Sequence, residues 1–459
     1  MLFSSIPFLY YFLPLVLITY FLAPNRLKNT VLLLYSLVFY GWGEPKLLGL
    51  MLFTIGMFYL CGLLIDRTDT RKKFWLWVSV AVSLGLLGIF KYADFFISSF
   101  NAVTGLGVPL LRLALPVGIS FYTFQALSYT IEVYRGNVPA QKNLISFGAY
   151  VTLFPQLIAG PIVRYGDVAR ELEERTTNLE QVGLGLRRFL VGLGKKVILA
   201  DNFALLCKLF RESSEPSVLF YWMYAIAFMR NIYFDFSGYS DMAIGLGRVF
   251  GFHFQENFNY PYLSKSVTEF WRRWHMSLGS WFRDYVYIPL GGNRVSKGRW
   301  VFNILVVWIL TGAWHGAAWN FVLWGLLYAV VLMAEKWLPG LQKWPEVLRR
   351  GYTLLIVMLG FVLFNADSIG QAGSDFSALF GFGGLPVVTA QTLYYLRSFA
   401  LLFVLGIVGS TPLVRNWAVG IRKTRAGSFL ELAMMVGLLL VSTAYLVDGS
   451  FSPFLYFRF

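Results

Sequence analysis

The chain has 459 residues, of which 57% are hydrophobic and only 14% are charged, and its formal net charge is +15. Because soluble domains contain about 25% charged residues, this composition excludes an ordinary soluble protein. The continuous apolar runs favour membrane helices over the alternating strands of a β-barrel. The excess of Lys and Arg is typical of cytoplasmic loops, and the sequence has no basic tail or motif that would indicate a nucleic-acid partner. Cys61 and Cys207 form neither a metal-binding pattern nor a disulfide framework.

The loops between the apolar runs differ in charge, which predicts the topology. The N-terminal apolar stretch is interpreted as a retained span rather than a signal peptide. Basic loops alternate with uncharged ones over the first part of the chain, and residues 415–425 form another basic loop near its end. The positive-inside rule places the basic loops in the cytoplasm and both termini outside. We therefore predict an all-α, polytopic membrane domain over residues 1–459 with about ten or more membrane helices. The sequence does not fix the number of crossings between residues 130 and 300.

Two features in the middle of the chain predict polar or irregular structure inside the membrane. Residues 144–163 are long enough to cross, but Pro155, Gly160 and Pro161 interrupt them, so we predict a broken or re-entrant segment. Such a segment is tolerated only where protein or a water-filled cavity covers its backbone, and we expect a cavity here. Asp235 and Asp241 lie in an apolar stretch. For them we favour a structural ion pair, with a partner such as Arg230 or Arg248, over a proton relay.

The segment from Ser266 to Arg283 has the pattern of an amphipathic helix. Ser266 and Glu269 have the spacing of a capping box, which predicts a helix start. One largely aromatic face follows at helical spacing: Trp271, Trp274, His275, Leu278 and Phe282. We predict a single helix at the membrane interface, and a simple anchor would not explain why His275 falls among the tryptophans.

Residues 300–334 contain no Asp, Glu, Lys or Arg. Thirty-five helical residues would measure about 50 Å, too long for a bilayer core of about 30 Å. We predict an entering helix, a break at Gly312 and Gly316, and a returning helix. His315 then lies deep in the membrane, where a titratable group is by default a functional-site hypothesis. Before other motifs are considered, a functional role and a purely structural role for His315 have equal weight.

The third histidine, His253, is interpreted as structural because it lies beside Phe250, Phe252 and Phe254. No two histidines share a helical face at the spacing of a metalloprotease helix, so no metal site is predicted.

Several stretches together resemble the membrane-bound O-acyltransferase (MBOAT) family, in its bacterial AlgI/DltB group. The most specific are Phe270–Gly279 (FWRRWHMSLG), Phe282–Arg294 (FRDYVYIPLGGNR) and Thr311–Ala317 (TGAWHGA). Leu115–Gln125, Phe234–Ala243, the opening MLFSS and the ending Pro453–Phe459 add to the likeness. Together these stretches resemble the alginate O-acetyltransferase branch more than the branch that transfers D-alanine.

The resemblance implies roles for individual residues. His315 matches the family's catalytic histidine, and His275 its second polar position. Transfer of an acyl group from a thioester to a hydroxyl needs a base and help for the oxyanion, and a neutral buried imidazole can accept the hydroxyl proton. We predict substrate binding by six further residues: Arg272, Arg273, Trp274, Arg294, Trp314 and Asn320. For Arg272, Arg273 and Arg294, binding of donor phosphates or an acidic carrier protein and a purely topological role are equally weighted.

The resemblance also implies a tunnel, a donor and partners. The helices, with re-entrant or interfacial ones among them, would surround a central tunnel in a bacterial inner membrane. Acetyl-CoA or another acyl thioester would be the cytoplasmic donor, with no bound cofactor. An extracytoplasmic acetyltransferase of the SGNH type, or another polysaccharide-modifying protein, would be the partner outside. The alternatives are D-alanyl transfer to teichoic acid and, outside enzymes, a transporter or flippase; the sequence shows no inverted repeat that would support the latter.

Overall fold

The computed structural model describes residues 2–448, and their regular secondary structure is helical. The ending Pro453–Phe459 noted above lies outside the described residues. The described chain forms two compact units, the first of residues 2–189 and Tyr239–Gln255 and the second of Leu190–Gly238 and residues 256–448. The prediction of one domain over the whole chain stays a prediction.

The first unit holds helices from the N-terminal part of the chain. They are α1 (Leu13–Leu22), α2 (Lys28–Gly43), α3 (Leu48–Arg67), α4 (Lys72–Leu87), α5 (Ala93–Thr104), α6 (Ile119–Tyr134), α7 (Leu144–Thr152) and α8 (Tyr165–Glu173). Helices α9 (Leu179–Gly194) and α11 (Val218–Val249) each contribute residues to both units.

The second unit holds the helices that will matter for the site. They are α10 (Asp201–Arg211), α12 (Val267–Arg273), α13 (Met276–Phe282), α14 (Lys297–His315), α15 (Trp319–Trp337), α16 (Glu346–Asn365), α17 (Ile369–Leu379), α18 (Ala390–Ser398), α19 (Ala400–Gly409), α20 (Leu413–Ile421) and α21 (Arg425–Val447). Short π-helical segments occur at Phe8–Phe12, Gly88–Tyr92, Lys195–Ala200 and Arg283–Tyr287, and 3-10 turns at Asn25–Leu27, Pro45–Leu47, Pro261–Leu263 and Pro339–Lys343.

Several of these helices are long and apolar enough to cross a membrane. Within the described residues five qualify by length and composition: Pro45–Arg67, Lys72–Thr104, Trp319–Trp337, Glu346–Asn365 and Arg425–Val447. A sixth is possible if α18 and α19, which meet at a bend of 50°, form one broken span. The polytopic helical class is thereby confirmed, whereas the larger number of about ten helices stays a prediction.

The segment of residues 144–163 is interrupted as predicted, and protein covers its backbone, while the expected cavity stays a prediction. Helix α7 ends at Thr152, and residues 154–159 form turns. Residues 146–163 are all buried, and side chains supply part of the backbone bonding, because the Gln156 amide donates to the Tyr150 carbonyl at 2.9 Å. Irregular backbone of this kind is tolerated at membrane depth only where protein covers it or water reaches it.

The predicted hairpin over residues 300–334 is confirmed. Helix α14 runs to His315, the chain breaks at Gly316, and α15 begins at Trp319. The break falls at Gly316 only, since α14 continues through Gly312. Gly312 instead allows the two helices to touch, because a Cβ atom there would lie 2.2 Å from the Phe321 carbonyl oxygen.

The prediction of one interfacial helix from Ser266 to Arg283 is wrong. Ser266 does cap a helix, its hydroxyl accepting the Glu269 N–H at 3.0 Å, but α12 ends at Arg273 and α13 begins at Met276. His275 between them adopts left-handed backbone angles (φ 44°, ψ 52°). Trp274 is buried among aromatic rings of the second unit and does not sit at an interface.

The two carboxylates of α11 form ion pairs, but the partners named from the sequence were wrong. Asp235 lies 2.7 Å from Lys196 Nζ, which also lies 2.7 Å from Asp201. Asp241 pairs with Arg188 at 2.9 Å. Arg230 instead donates to the Ser410 hydroxyl at 2.7 Å. The predicted partners lie on the same helix as the two carboxylates. The observed cations instead belong to α9 (Arg188) and to the π-helical segment that follows it (Lys196).

Candidate active site

His315 occupies the last position of α14 and is enclosed by aromatic rings. Its side chain is buried, and its ring centroid lies 5.0 Å from Trp314, 5.1 Å from Trp324 and 5.4 Å from Phe364. Because α14 begins at Lys297, His315 lies about 27 Å along the helix from that basic end. The apolar surroundings agree with the prediction from the uncharged run, whereas the depth of His315 in the membrane stays a prediction, because α14 is not among the described helices that qualify as membrane spans.

His275 is buried between α12 and α13, and Asn257 holds it. The Asn257 side-chain oxygen lies 3.2 Å from His275 Nδ1 and accepts the Ser277 N–H at 3.2 Å and the Ser277 hydroxyl at 2.9 Å. The Asn257 carbonyl also accepts the Met276 N–H at 3.0 Å. Since an amide oxygen only accepts, this network assigns the proton of the neutral ring to Nδ1 and leaves Nε2 as acceptor.

The two histidines are brought together although 40 residues separate them. Their ring centroids are 6.4 Å apart, and Trp314 contacts both rings, at 5.6 Å from His275 and 5.0 Å from His315. Phe236 of α11 packs edge-on against His275 at 4.6 Å. The site is thus two imidazoles within a wall of aromatic side chains. Their roles in catalysis stay predictions.

A basic cavity of about 620 Å³ lies near the other end of the hairpin. Its charged lining residues are Lys265, Arg272, Arg283, Glu335, Lys336 and Arg349. Glu335 is occupied by capping α12, since it accepts the backbone N–H groups of Val267 at 2.6 Å and Thr268 at 2.9 Å. Hydrogen bonding to Asp284 raises the pKa of Arg283. The cavity therefore presents mainly cationic groups.

The inner wall of this cavity approaches the histidines without including them. Ile304 and Val307 of α14 line it, and Val307 precedes His315 by about 12 Å of helix. Trp271 packs against Trp324 at 5.4 Å, and Trp324 in turn contacts His315. Aromatic rings thus occupy the interval between cavity and histidine, and the continuous tunnel stays a prediction.

The six predicted substrate-binding residues lie in different environments. Arg272 lines the cavity, and Trp314 lies between the two histidines. Arg273 is paired with Glu269 at 2.6 Å, and Arg294 is exposed on the loop before α14.

The other two predicted residues are buried in structural contacts. Trp274 packs against Phe258 at 5.1 Å and Phe270 at 5.4 Å. The Asn320 amide donates to the Ala366 carbonyl at 2.9 Å. The geometry therefore associates Arg272 and Trp314, rather than all six residues, with the cavity or the histidine pair.

Sequence reasoning missed several residues of the site. Asn257 belongs to none of the motifs noted in the sequence. It contacts His275, which lies 18 positions further along the chain. The cavity lysines and arginines were visible as charges flanking apolar runs, but only folding shows that Lys265, Lys336 and Arg349 face one space. Nothing in the sequence distinguished Trp324 from the other tryptophans among the 15 in the chain.

Two buried histidines, with a basic cavity near the other end of the same helical hairpin, suit a membrane-embedded transferase. The chain belongs to the membrane-bound O-acyltransferase family, whose model matches residues 138–366. It is accordingly an acyltransferase and a multi-pass membrane protein. The transporter alternative is thereby set aside.

Relatives within the family carry different names. The chain is 40% identical to a probable alginate O-acetylase of Azotobacter vinelandii, with all of both chains covered. It is 33% identical to a peptidoglycan O-acetyltransferase of Helicobacter pylori, covering 84% of this chain and 81% of that one. It is 30% identical to a teichoic acid D-alanyltransferase of Bacillus subtilis, covering 54% of this chain and 68% of that one.

Proposed function

We propose that this chain takes an acetyl group from a thioester on the cytoplasmic side and delivers it across the membrane for O-acetylation of an exported polysaccharide. The proposal rests on the His275–His315 pair, whose rings are 6.4 Å apart at the end of a helix whose opposite end borders a basic cavity. A site for chemistry and a site for an anionic donor thus share one helical hairpin.

His315 is the base in this proposal. It takes the proton of the acceptor hydroxyl as the hydroxyl oxygen attacks the thioester carbon, and returns that proton to the departing thiolate. His275, with Nδ1–H bonded to Asn257, offers Nε2 as an acceptor for an N–H of the acyl donor, because the reacting hydroxyl gives its one proton to His315. Apolar walls keep bulk water from competing with the acceptor.

The basic cavity is the proposed entry for the donor. Lys336 lies over the Trp300 ring at 3.8 Å, and Arg272 lines the same space. Such groups suit the phosphates of CoA or the acidic surface of a carrier protein. The positive-inside rule supports a cytoplasmic position for this end of the hairpin, and no bound cofactor is required.

The polymer is proposed from the relatives. The alginate O-acetylase matches along the entire chain, whereas the D-alanyltransferase matches 54% of it, which favours acetyl transfer to an alginate-like or other cell-surface polymer. D-Alanyl transfer to teichoic acid is the second candidate. Analysis of a deletion strain separates the two, because either acetyl esters or D-alanyl esters disappear from the envelope polymers.

Partners and location belong to the same proposal. An extracytoplasmic acetyltransferase of the SGNH type, or another polysaccharide-modifying protein, would take over the acetyl group outside. CoA or an acyl carrier would dock on the cytoplasmic side, and membrane lipids would surround the protein. We propose the bacterial inner membrane, with both termini outside, as the setting.

The three histidines provide a matched experiment. Membranes carrying wild-type chain, His315→Ala, His275→Ala or His253→Ala are supplied with acetyl-labelled CoA, and label in the exported polymer is measured. His253 is exposed and bonded to Glu171 at 2.6 Å, so its variant should retain wild-type transfer. Loss of a general base should lower the rate by about 100-fold or more in His315→Ala. Transfer at the wild-type rate by His315→Ala would refute the proposal.

A further inference from the structure

The proposed reaction needs a hydrogen-bond donor for the oxyanion that forms on the thioester carbonyl. His275 does not supply one in its neutral form, because its ring proton is directed to Asn257 Oδ1 at 3.2 Å. His315 is committed to the proton of the acceptor hydroxyl. In a site with little water, a donor aimed at the developing charge is usually the largest catalytic contribution, so another group must provide it.

Three buried donors near His315 are without a hydrogen-bond partner among the described residues. They are the indole N–H groups of Trp271 and Trp324 and the hydroxyl of Tyr328. Their rings form one cluster, with Trp324 at 5.4 Å from Trp271 and 5.1 Å from Tyr328. Buried donors are almost always satisfied in folded proteins, so three unsatisfied donors side by side indicate a place that a ligand completes.

Trp324 differs from the other two by its position. It is 1% exposed, and among the three rings it is the one in contact with His315, at 5.1 Å and an interplanar angle of 81°. Trp271 and Tyr328 lie toward the cavity, because their neighbours Arg272 and Leu332 line it. A carbonyl arriving from the cavity would therefore meet Trp324 last, beside the base.

We propose that the Trp324 indole N–H donates a hydrogen bond to the carbonyl oxygen of the acyl thioester and holds the oxyanion during transfer. The acceptor oxygen forms its bond to the carbonyl carbon while His315 takes its proton. The carbonyl electron pair moves to the oxygen held by Trp324. As the carbonyl re-forms, the carbon–sulfur bond breaks and the thiolate leaves with the proton from His315. This inference rests on the function proposed above.

The test compares Trp324→Phe with Tyr328→Phe, which removes an unpaired donor from the same cluster but one that does not contact His315. Loss of an oxyanion donor should lower kcat by about 100-fold while leaving KM for the donor within about threefold. Tyr328→Phe removes a donor of the same ligand site that lies farther from His315, so it should raise KM for the donor by about two- to tenfold and keep kcat within about fivefold of wild type, since a single neutral hydrogen bond contributes modestly. Equal losses of kcat in the two variants would overturn the assignment of Trp324.

A second measurement compares two donors on the same protein, so the amount of folded protein cancels from the ratio. A dithioester donor carries sulfur in place of the carbonyl oxygen and accepts hydrogen bonds weakly, so the wild-type enzyme should discriminate against it. Replacing the Trp324 indole by benzothiophene through site-specific incorporation keeps the ring shape and removes only the N–H. This variant should lose most of the discrimination, and unchanged discrimination would refute the proposal. Activity that survives in His315→Ala would instead refute the function, so the two failures are distinguishable.

Discussion

The crossing of α14 and α15 gives the sharpest prediction about how the fold positions His315. No side chain separates the two helices where they touch. A Cβ atom on Gly312 would lie 2.2 Å from the Phe321 carbonyl oxygen, and one on Gly325 would lie 2.2 Å from the Trp308 carbonyl oxygen. Close approach of backbones at small residues is the common way in which membrane helices associate. The glycines thus fix the position of the turn that carries the histidine.

Gly312→Ala would force the helices apart. Ordinary contact begins at 3.4 Å and the new methyl would meet backbone at 2.2 Å, so the helices must separate by about 1 Å. Overpacking of this kind costs about 1–3 kcal/mol. His315 lies one turn beyond the substitution, and a displacement of 1 Å at a reacting group lowers rates by about 100-fold. We expect a modest loss of stability and a large loss of transfer.

The assay measures both quantities on protein in nanodiscs: the acetyl-transfer rate, and the midpoint of thermal unfolding. Gly298→Ala is the matched control, because it lies on the same helix with nothing within 4 Å of the new methyl. It should match wild type in both measurements. If Gly312→Ala also keeps the wild-type transfer rate, the argument that this crossing positions His315 is refuted.

Two further predictions concern the ends of the hairpin. Asn257→Ala removes the group that orients His275 and should lower the transfer rate at least about tenfold, measured beside its unfolding midpoint; a wild-type rate would mean that the ring needs no orientation. Lys336→Gln should raise KM for acetyl-CoA about three- to tenfold and weaken its salt dependence, measured by initial rates across ionic strengths. Lys297→Gln, an exposed cation of the same region outside the cavity lining, should change neither, and equal effects of both substitutions would argue for general surface charge.

Parts of the fold that depend on local chemistry could be predicted from the sequence. A run of 35 uncharged residues exceeds one bilayer crossing, so the hairpin followed from length alone. Ser266 marked a helix start through a short-range bond to the Glu269 N–H. Both inferences use interactions between residues that are near neighbours in the chain.

Features that depend on distant partners could not be predicted in the same way. The hydrophobic period through Trp271 and His275 suggested one helix, and neither residue breaks a helix by itself. The break is held from outside, because Asn257 bonds to His275 and to the N–H of Met276. Likewise, the cation beside Asp235 is Lys196 from another element, which spacing within one helix does not reveal.

The left-handed backbone at His275 links this unexpected break to function. Left-handed angles cost a non-glycine residue about 1–2 kcal/mol, and such strain persists where surrounding bonds impose it. Here Asn257 supplies those bonds through both its side chain and its carbonyl. A continuous helix would have left His275 in register with Trp271 on one face, whereas the break brings its ring to 6.4 Å from His315. The strained backbone at His275 therefore positions the second histidine. The break between α12 and α13, which the sequence did not predict, is the feature that brings the two histidines together.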